Sequence, residues 1–241
     1  MVIAYHKCAD LSIGIAPMKK ADGYHRPSVA TDICVFNVKD AKLRVLLIVR
    51  GDTTLKGHWA LPGGFLRENE TLEKCAEREL MEETNVRDIK LQLFGTYSAL
   101  KRDPRERVIS VAYYALIPDP DLAESLRRIR AGTDAAGVEW FSPKRLPDLA
   151  FDHRLIIKDA VDALLHKFEF EKTAALAFAS SGFTALQLQQ AYNCLAPKPI
   201  NDYSNFMKLI REVVVEVSKP ADPSSDAQRG RPQKHLRSRD A

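Results

Sequence analysis

The stretch from Trp59 to Val86, WALPGGFLRENETLEKCAERELMEETNV, constrains this chain more than any other. It opens with the paired glycines Gly63 and Gly64, passes Glu70, and closes on Arg78-Glu79-Leu80-Met81-Glu82-Glu83. Leu72, Cys75, Ala76 and Leu80 recur at helical spacing, which predicts a loop running into an amphipathic helix. On that helix Glu79, Glu82 and Glu83 stand at i, i+3 and i+4, so they share one face. Three carboxylates so placed repel one another unless a cation sits among them. Carboxylate oxygens are the ligands preferred by hard ions such as Mg²⁺, often with substrate phosphates completing the shell.

The chain around this stretch has 241 residues, enough for one large domain or two. An apolar fraction of 45% allows a packed core, and a net charge of +4 is too mild by itself to imply a polyanion partner. Cys8, Cys34, Cys75 and Cys194 lie far apart with no CxxC pair, as expected of reduced thiols rather than a zinc site or disulfide framework. No apolar run approaches the roughly 18–20 residues of a membrane span. Asp10 interrupts the N-terminus, unlike a signal peptide. The expectation is a soluble cytoplasmic protein.

In chain order, residues 1–27 have no clear period and read as an arm. Ser28 to Phe36 and Leu43 to Val49 are β-rich and read as a hairpin across Asn37-Val38-Lys39-Asp40. Leu91 to Tyr97, Val108 to Leu116 and Val138 to Phe141 read as further strands, and Leu122 to Arg130 as a short helix. Of the neighbours Tyr113 and Tyr114, alternation places one in the core and one on the surface. Asp152 is expected to cap a helix from His153 to about Phe168, with Ile156, Ile157, Ala160, Val161, Leu164 and Leu165 inward. Beyond it, Thr173 to Ala179 and the segment opening at Thr184 read as helices. In the second, Leu186, Leu188, Ala191, Tyr192 and Leu195 are the apolar residues.

Asn201 or Asp202 then caps a helix to about Arg211, in which Tyr203, Phe206 and Ile210 follow core spacing. Ser204, Lys208 and Arg211 fall on a different face, with Asn205 beside them. Val213 to Val217 is β-branched. A basic segment with Arg229, Arg231, Lys234, Arg237 and Arg239 and no acid closes the chain's described motifs. Three helices, a strand, a loop and a basic segment follow the order of a winged helix-turn-helix, whose recognition helix packs on one side and offers polar groups to bases and phosphates on the other. A dimerisation domain with a solvated tail is the competing reading.

The central stretch resembles the Nudix box. Gly64, Glu70, Arg78, Glu79, Leu80, Glu82, Glu83 and Val86 occupy its places, and Asn85 stands where the family has a glycine. A glycine there suits a left-handed helix end, and asparagine is the next most tolerant residue. The resemblance implies an α/β fold, a Nudix α/β/α sandwich over residues 28–167, followed by a winged helix-turn-helix over 168–241. With Trp59 to Phe65, Arg102-Asp103-Pro104-Arg105, Phe151-Asp152-His153, Phe183-Thr184, Leu186-Gln187, Asn205-Phe206 and Arg229 to Pro232, the whole is similar to the Nudix-related transcriptional regulators of NAD metabolism, the NrtR type. Such regulators are typically dimers that sense an NAD-related nucleotide such as ADP-ribose and hold an operator. Two features depart from that pattern. Met207 and Lys208 stand where consecutive arginines often follow Asn-Phe, and the box acids, often eroded in these regulators, are all present.

Carried onto these positions, Glu79, Glu82 and Glu83 are expected to hold Mg²⁺ against a nucleotide diphosphate, with the Gly63 carbonyl as a further candidate ligand and Gly64 beside it. Arg78 is expected to pair with Glu70 and set the carboxylate face. Arg102 and Arg105 flank a stiff Asp-Pro turn and are candidate phosphate contacts. Glu106 is the loop candidate for a general base. Ser204, Asn205, Lys208, Arg211, Arg229, Arg231 and Lys234 are the candidate DNA contacts. Three readings stay open from the sequence: an operator-binding homodimeric repressor governed by ADP-ribose, NAD or ATP, a Mg²⁺-dependent ADP-ribose or dinucleotide pyrophosphatase, and a nucleotide-binding scaffold with neither activity.

Overall fold

The computed structural model describes residues 26–40, 42–51, 54–117, 135–170, 185–195, 198–211, 214–217 and 235–238. The helices expected at 122–130 and 173–179, nearly all of the arm, and Arg229, Arg231 and Lys234 lie outside them. The described elements are β1 (Ser28–Lys39), β2 (Lys42–Arg50), β3 (Trp59–Ala60), β4 (Gly63–Phe65), α1 (Leu72–Thr84), β5 (Gln92–Tyr97), β6 (Val108–Ile117), β7 (Ala135–Phe141), α2 (His153–Phe170), α3 (Ala185–Leu195), α4 (Tyr203–Ile210), β8 (Val214–Val217) and β9 (His235–Ser238).

β1 and β2 form the expected hairpin, with Phe36 opposite Val45 and Lys39 opposite Lys42. β1 is also the centre of a mixed seven-stranded sheet ordered β3-β2-β1-β6-β5, to which β4 adds along β1 and β7 along β2. The β1–β6 pair is parallel and runs from Ser28↔Val108 to Asn37↔Ile117. Alternation along these two strands feeds two cores. Ile33, Val35, Val111 and Tyr113 pack with Ala76 and Leu80 of α1. Cys34, Phe36, Ala112 and Tyr114 pack with Ile156, Ile157, Ala160 and Leu164 of α2. The result is the expected α/β/α sandwich.

That double coverage corrects the expectation for the tyrosine pair. Tyr113 and Tyr114 do point to opposite faces, but a helix covers each face, and both side chains are buried. Helix α2 also differs in detail. It runs two residues further, to Phe170, and the Asp152 carboxylate turns away from the expected capping position to bind Arg102.

α3 and α4 pack onto the α2 side of the sandwich through Ala185, Leu188, Phe206 and Ile210. Asp202 caps α4, its side chain accepting from the Asn205 amide at 2.8 Å. Tyr203, expected at core spacing, is exposed, as is Leu186 among the apolar residues of α3. Both stand in the first turn of their helices, where the buried face is set by Leu188 and by Phe206 and Ile210. β8 pairs with β9 antiparallel, from Val214↔Ser238 to Val217↔His235, so the end of the basic segment belongs to a two-stranded sheet. No helix among the described residues is long and apolar enough to cross a membrane.

Candidate functional site

The box helix is held at both ends by local chemistry. Thr71 caps its start, accepting from the Lys74 amide at 3.3 Å. Asn85 ends it in the left-handed conformation, φ 55° and ψ 16°, with its amide bonded to the Met81 carbonyl at 2.9 Å. The asparagine thus fills the role of the family's glycine at a modest conformational cost.

The turn before the helix needs its glycines for contact rather than for composition. A side chain on Gly63, at φ 155°, would run into the Thr31 carbonyl, and one on Gly64 would run into the Glu79 carboxylate. The β1–β4 register sets Asp32 opposite Gly63 and Thr31 opposite Gly64, which presses the turn against α1.

Arg78 organises the acids, as expected. Its Nε and Nη2 donate to the two Glu70 oxygens at 2.9 and 2.6 Å, and its Nη1 donates to Glu79 at 2.6 Å and Glu82 at 3.2 Å. These hydrogen bonds hold the Glu70 carboxyl down at about 2. Glu83 sits differently. It accepts from the Gly63 amide at 2.8 Å, and its burial, reinforced by the Glu79 charge, pushes its carboxyl up to about 8. A buried acid beside a second acid is a group that a cation would stabilise, so these donors suit a hard divalent ion. Among the described residues no three acids, histidines or cysteines already form a cation cage. Arg78 draws Glu79 and Glu82 to itself while Glu83 turns to the glycine.

Glu79 and Glu83 open onto a cleft of about 440 Å³, within the range of small-molecule sites. Gly63, Gly64, Arg102 and Arg105 also line it, so the structure brings together the expected ligand contacts and two of the three expected metal ligands. Glu82, Glu70 and Arg78 are not part of that lining. The Glu106 carboxylate is not part of the lining; it accepts from Ser28 Oγ at 2.8 Å.

The two arginines are not bare phosphate hooks. Arg102 is buried, with Nε and Nη2 on Asp152 at 3.1 and 2.7 Å and Nη2 on Asp32 at 3.0 Å. Arg105 is forked onto Asp103 at 3.0 and 2.7 Å and lies over the rings of Phe65 and Phe151, 5.4 and 5.6 Å from their centroids. Phe151 holds a positive φ of 53° at the cleft wall.

Sequence reasoning missed Asp32 and the depth of His153, and it named Phe151 without giving it a place at the cleft. Asp32 is buried, accepts from Ser110 and Arg102, and faces His153 Nε2 at 3.2 Å. The Leu61 amide donates to His153 Nδ1 at 2.9 Å, so the ring proton belongs on Nε2, toward Asp32. Burial alone would push the Asp32 carboxyl up. His153, Arg102 and Ser110 more than offset it and hold the group well below the usual carboxylate range. The available signal was an acid in the middle of a β-rich run, just before the apolar stretch Ile33 to Phe36.

A family profile for the NUDIX domain matches residues 26–160, and the chain belongs to the Nudix family. Within it, the chain is similar to the ADPR responsive transcriptional repressor NtrR of Acinetobacter baylyi, 29% identical over 206 residues that span 84% of this chain and 79% of the relative. It superposes on the crystal structure of Shewanella oneidensis NrtR complexed with a 27mer DNA with a TM-score of 0.70 and 27% identity, over 88% of this chain and 93% of that one. It is also similar to an ADP-ribose pyrophosphatase of Methanocaldococcus jannaschii, 42% identical over 142 residues, 59% of this chain and 78% of the relative.

On α4, Phe206 and Ile210 are buried while Ser204, Asn205, Lys208 and Arg211 are exposed. The expected division between a packing side and a polar side is therefore present.

Proposed function

We propose that this protein is a DNA-binding transcriptional repressor of NAD biosynthesis or salvage genes, a cytoplasmic homodimer whose Nudix domain senses an NAD-related nucleotide. The domain division falls near residue 167, and the following segment is a winged helix-turn-helix. The observation that carries this reading is the extent of likeness. The similarity to the DNA-complexed NrtR structure covers 88% of this chain, well beyond the 135 residues of the Nudix match, whereas the likeness to the pyrophosphatase covers 59%. α4 is the recognition helix, with Ser204, Asn205, Lys208 and Arg211 toward the major groove, and Arg229, Arg231 and Lys234 along phosphates. Two such helices in a dimer address half-sites about 34 Å apart or a multiple of it. ADP-ribose is the first candidate effector, ahead of NAD and ATP, because the Acinetobacter relative is named as responsive to it.

A gel shift on the upstream DNA of NAD-synthesis genes, with and without ADP-ribose, tests this. Retarded DNA whose mobility changes with the nucleotide is the expected result. Absence of binding at low salt removes the repressor.

The complete acid set favours a second activity in the same chain, Mg²⁺-dependent hydrolysis of ADP-ribose or a related dinucleotide. Glu79, Glu82 and Glu83 would hold the ion, which neutralises diphosphate oxygens and makes a water nucleophilic. Glu70 and Arg78 act through the carboxylates they orient. Turnover that disappears in Glu83→Gln supports it; no turnover on any dinucleotide removes it.

A further inference from the structure

Helix α2 begins in one functional region and rests on another. His153, its first residue, is a wall of the cleft, and Ile156, Ile157, Ala160 and Leu164 share a core with Ala185 and Leu188 of α3 and with Phe206 and Ile210 of α4. At the cleft end of α2, ion pairs run through Arg102 and Asp32. Arg102 binds Asp152, the residue before the helix, and Asp32 binds both Arg102 and His153. The same guanidinium lines the cleft.

We infer that Asp152, with Arg102 and Asp32, is a positioning residue that ties the state of the cleft to helix α2 and so to the two C-terminal helices. The inference rests on the nucleotide-sensing reading above. An incoming diphosphate competes with Asp152 for Arg102, because a guanidinium fork binds either anion in the same plane. Whatever Asp152 loses, the start of α2 loses with it. A helix packed along its length moves as a unit, by shifts of about 1–2 Å at an interface. The effect on α3 and α4 equals the difference in ligand affinity between the two α2 positions, and no more.

Hydrogen–deuterium exchange on the full chain, with ADP-ribose as the probe, reads this directly. In the wild type, ADP-ribose changes exchange in residues 59–66 and 98–107, and also along α2 and α3. In Asp152→Asn the cleft segments still respond while the α3 response falls at least about fivefold; Asp152→Glu, which keeps the charge, recovers much of it. Thermal unfolding of each variant reports whether the fold is intact, and Asp152→Ser, smaller and likewise uncharged, carries the same expectation should the asparagine variant not fold. A wild-type response confined to the cleft, or an α3 response undiminished in Asp152→Asn, overturns the inference and leaves the nucleotide reading standing. No response anywhere overturns the nucleotide reading, and the inference with it.

Discussion

Arg78 and Glu70 meet through two parallel hydrogen bonds, 2.9 and 2.6 Å long, although eight positions separate them in the chain. The same guanidinium reaches Glu79 and Glu82. Only a planar fork with several donors can serve three carboxylates at once. Arg78→Lys keeps the charge and loses that geometry. Divalent-ion affinity should fall roughly 10- to 100-fold, the usual range when a group that orients metal ligands is removed. A Mn²⁺ or Mg²⁺ titration of both proteins measures it.

Asp32 should make stability depend on acid. Its carboxyl lies well below its unfolded value of about 4, so its contribution is complete above that value and fades as pH falls toward the folded one. Asp32→Asn leaves Arg102 with one carboxylate instead of two and should cost roughly 3–5 kcal/mol near neutrality. Urea unfolding at about pH 6 and about pH 3 should show the wild type losing more of its advantage on acidification than the variant. Equal pH dependence in the two proteins contradicts the assignment.

The two glycines of the turn should fail in different ways. In Gly63→Ala the new methyl meets the backbone carbonyl of Thr31, which cannot step aside, so the fold should lose more than about 1 kcal/mol. In Gly64→Ala it meets the Glu79 side chain, which can rotate. That variant should unfold near the wild-type temperature while binding metal and nucleotide more weakly. Thermal denaturation beside a binding titration separates the two.

Helix α4 offers a variant that should touch DNA alone. Lys208 and Arg211 are exposed, so alanine there should change stability by less than about 0.5 kcal/mol. If each neutralises one phosphate, each substitution should flatten the slope of log affinity against log salt by about 1. Phe206→Ala, by contrast, empties a fully buried site and should cost about 3–5 kcal/mol. Unchanged salt slopes in both surface variants would remove α4 from the interface.

Local chemistry was legible in the sequence, and long-range pairing was not. The box helix follows from spacing within one loop and one helix, and the resemblance to the Nudix box implied its left-handed end at Asn85 and the Arg78–Glu70 pair. The Asp32–Arg102 and Arg102–Asp152 bonds join positions 70 and 50 residues apart, which no periodicity records. Asp152 stood where a capping residue belongs, and a nearby guanidinium outcompeted the helix amides for it. Tyr113 and Tyr114 misled for a related reason: alternation tells which way a side chain points, not whether another layer waits there.

The strand at the centre of the sheet serves two masters at adjacent positions, Ile33 in the α1 core and Asp32 at the cleft. A slip of one place would exchange them, burying a charge among aliphatics and exposing an aliphatic to the ligand. Evolution therefore has little room to adjust the cleft from below. The part of the wall formed by Arg105 and Phe151 comes from loops, so exchanges at those two positions leave the strand register intact.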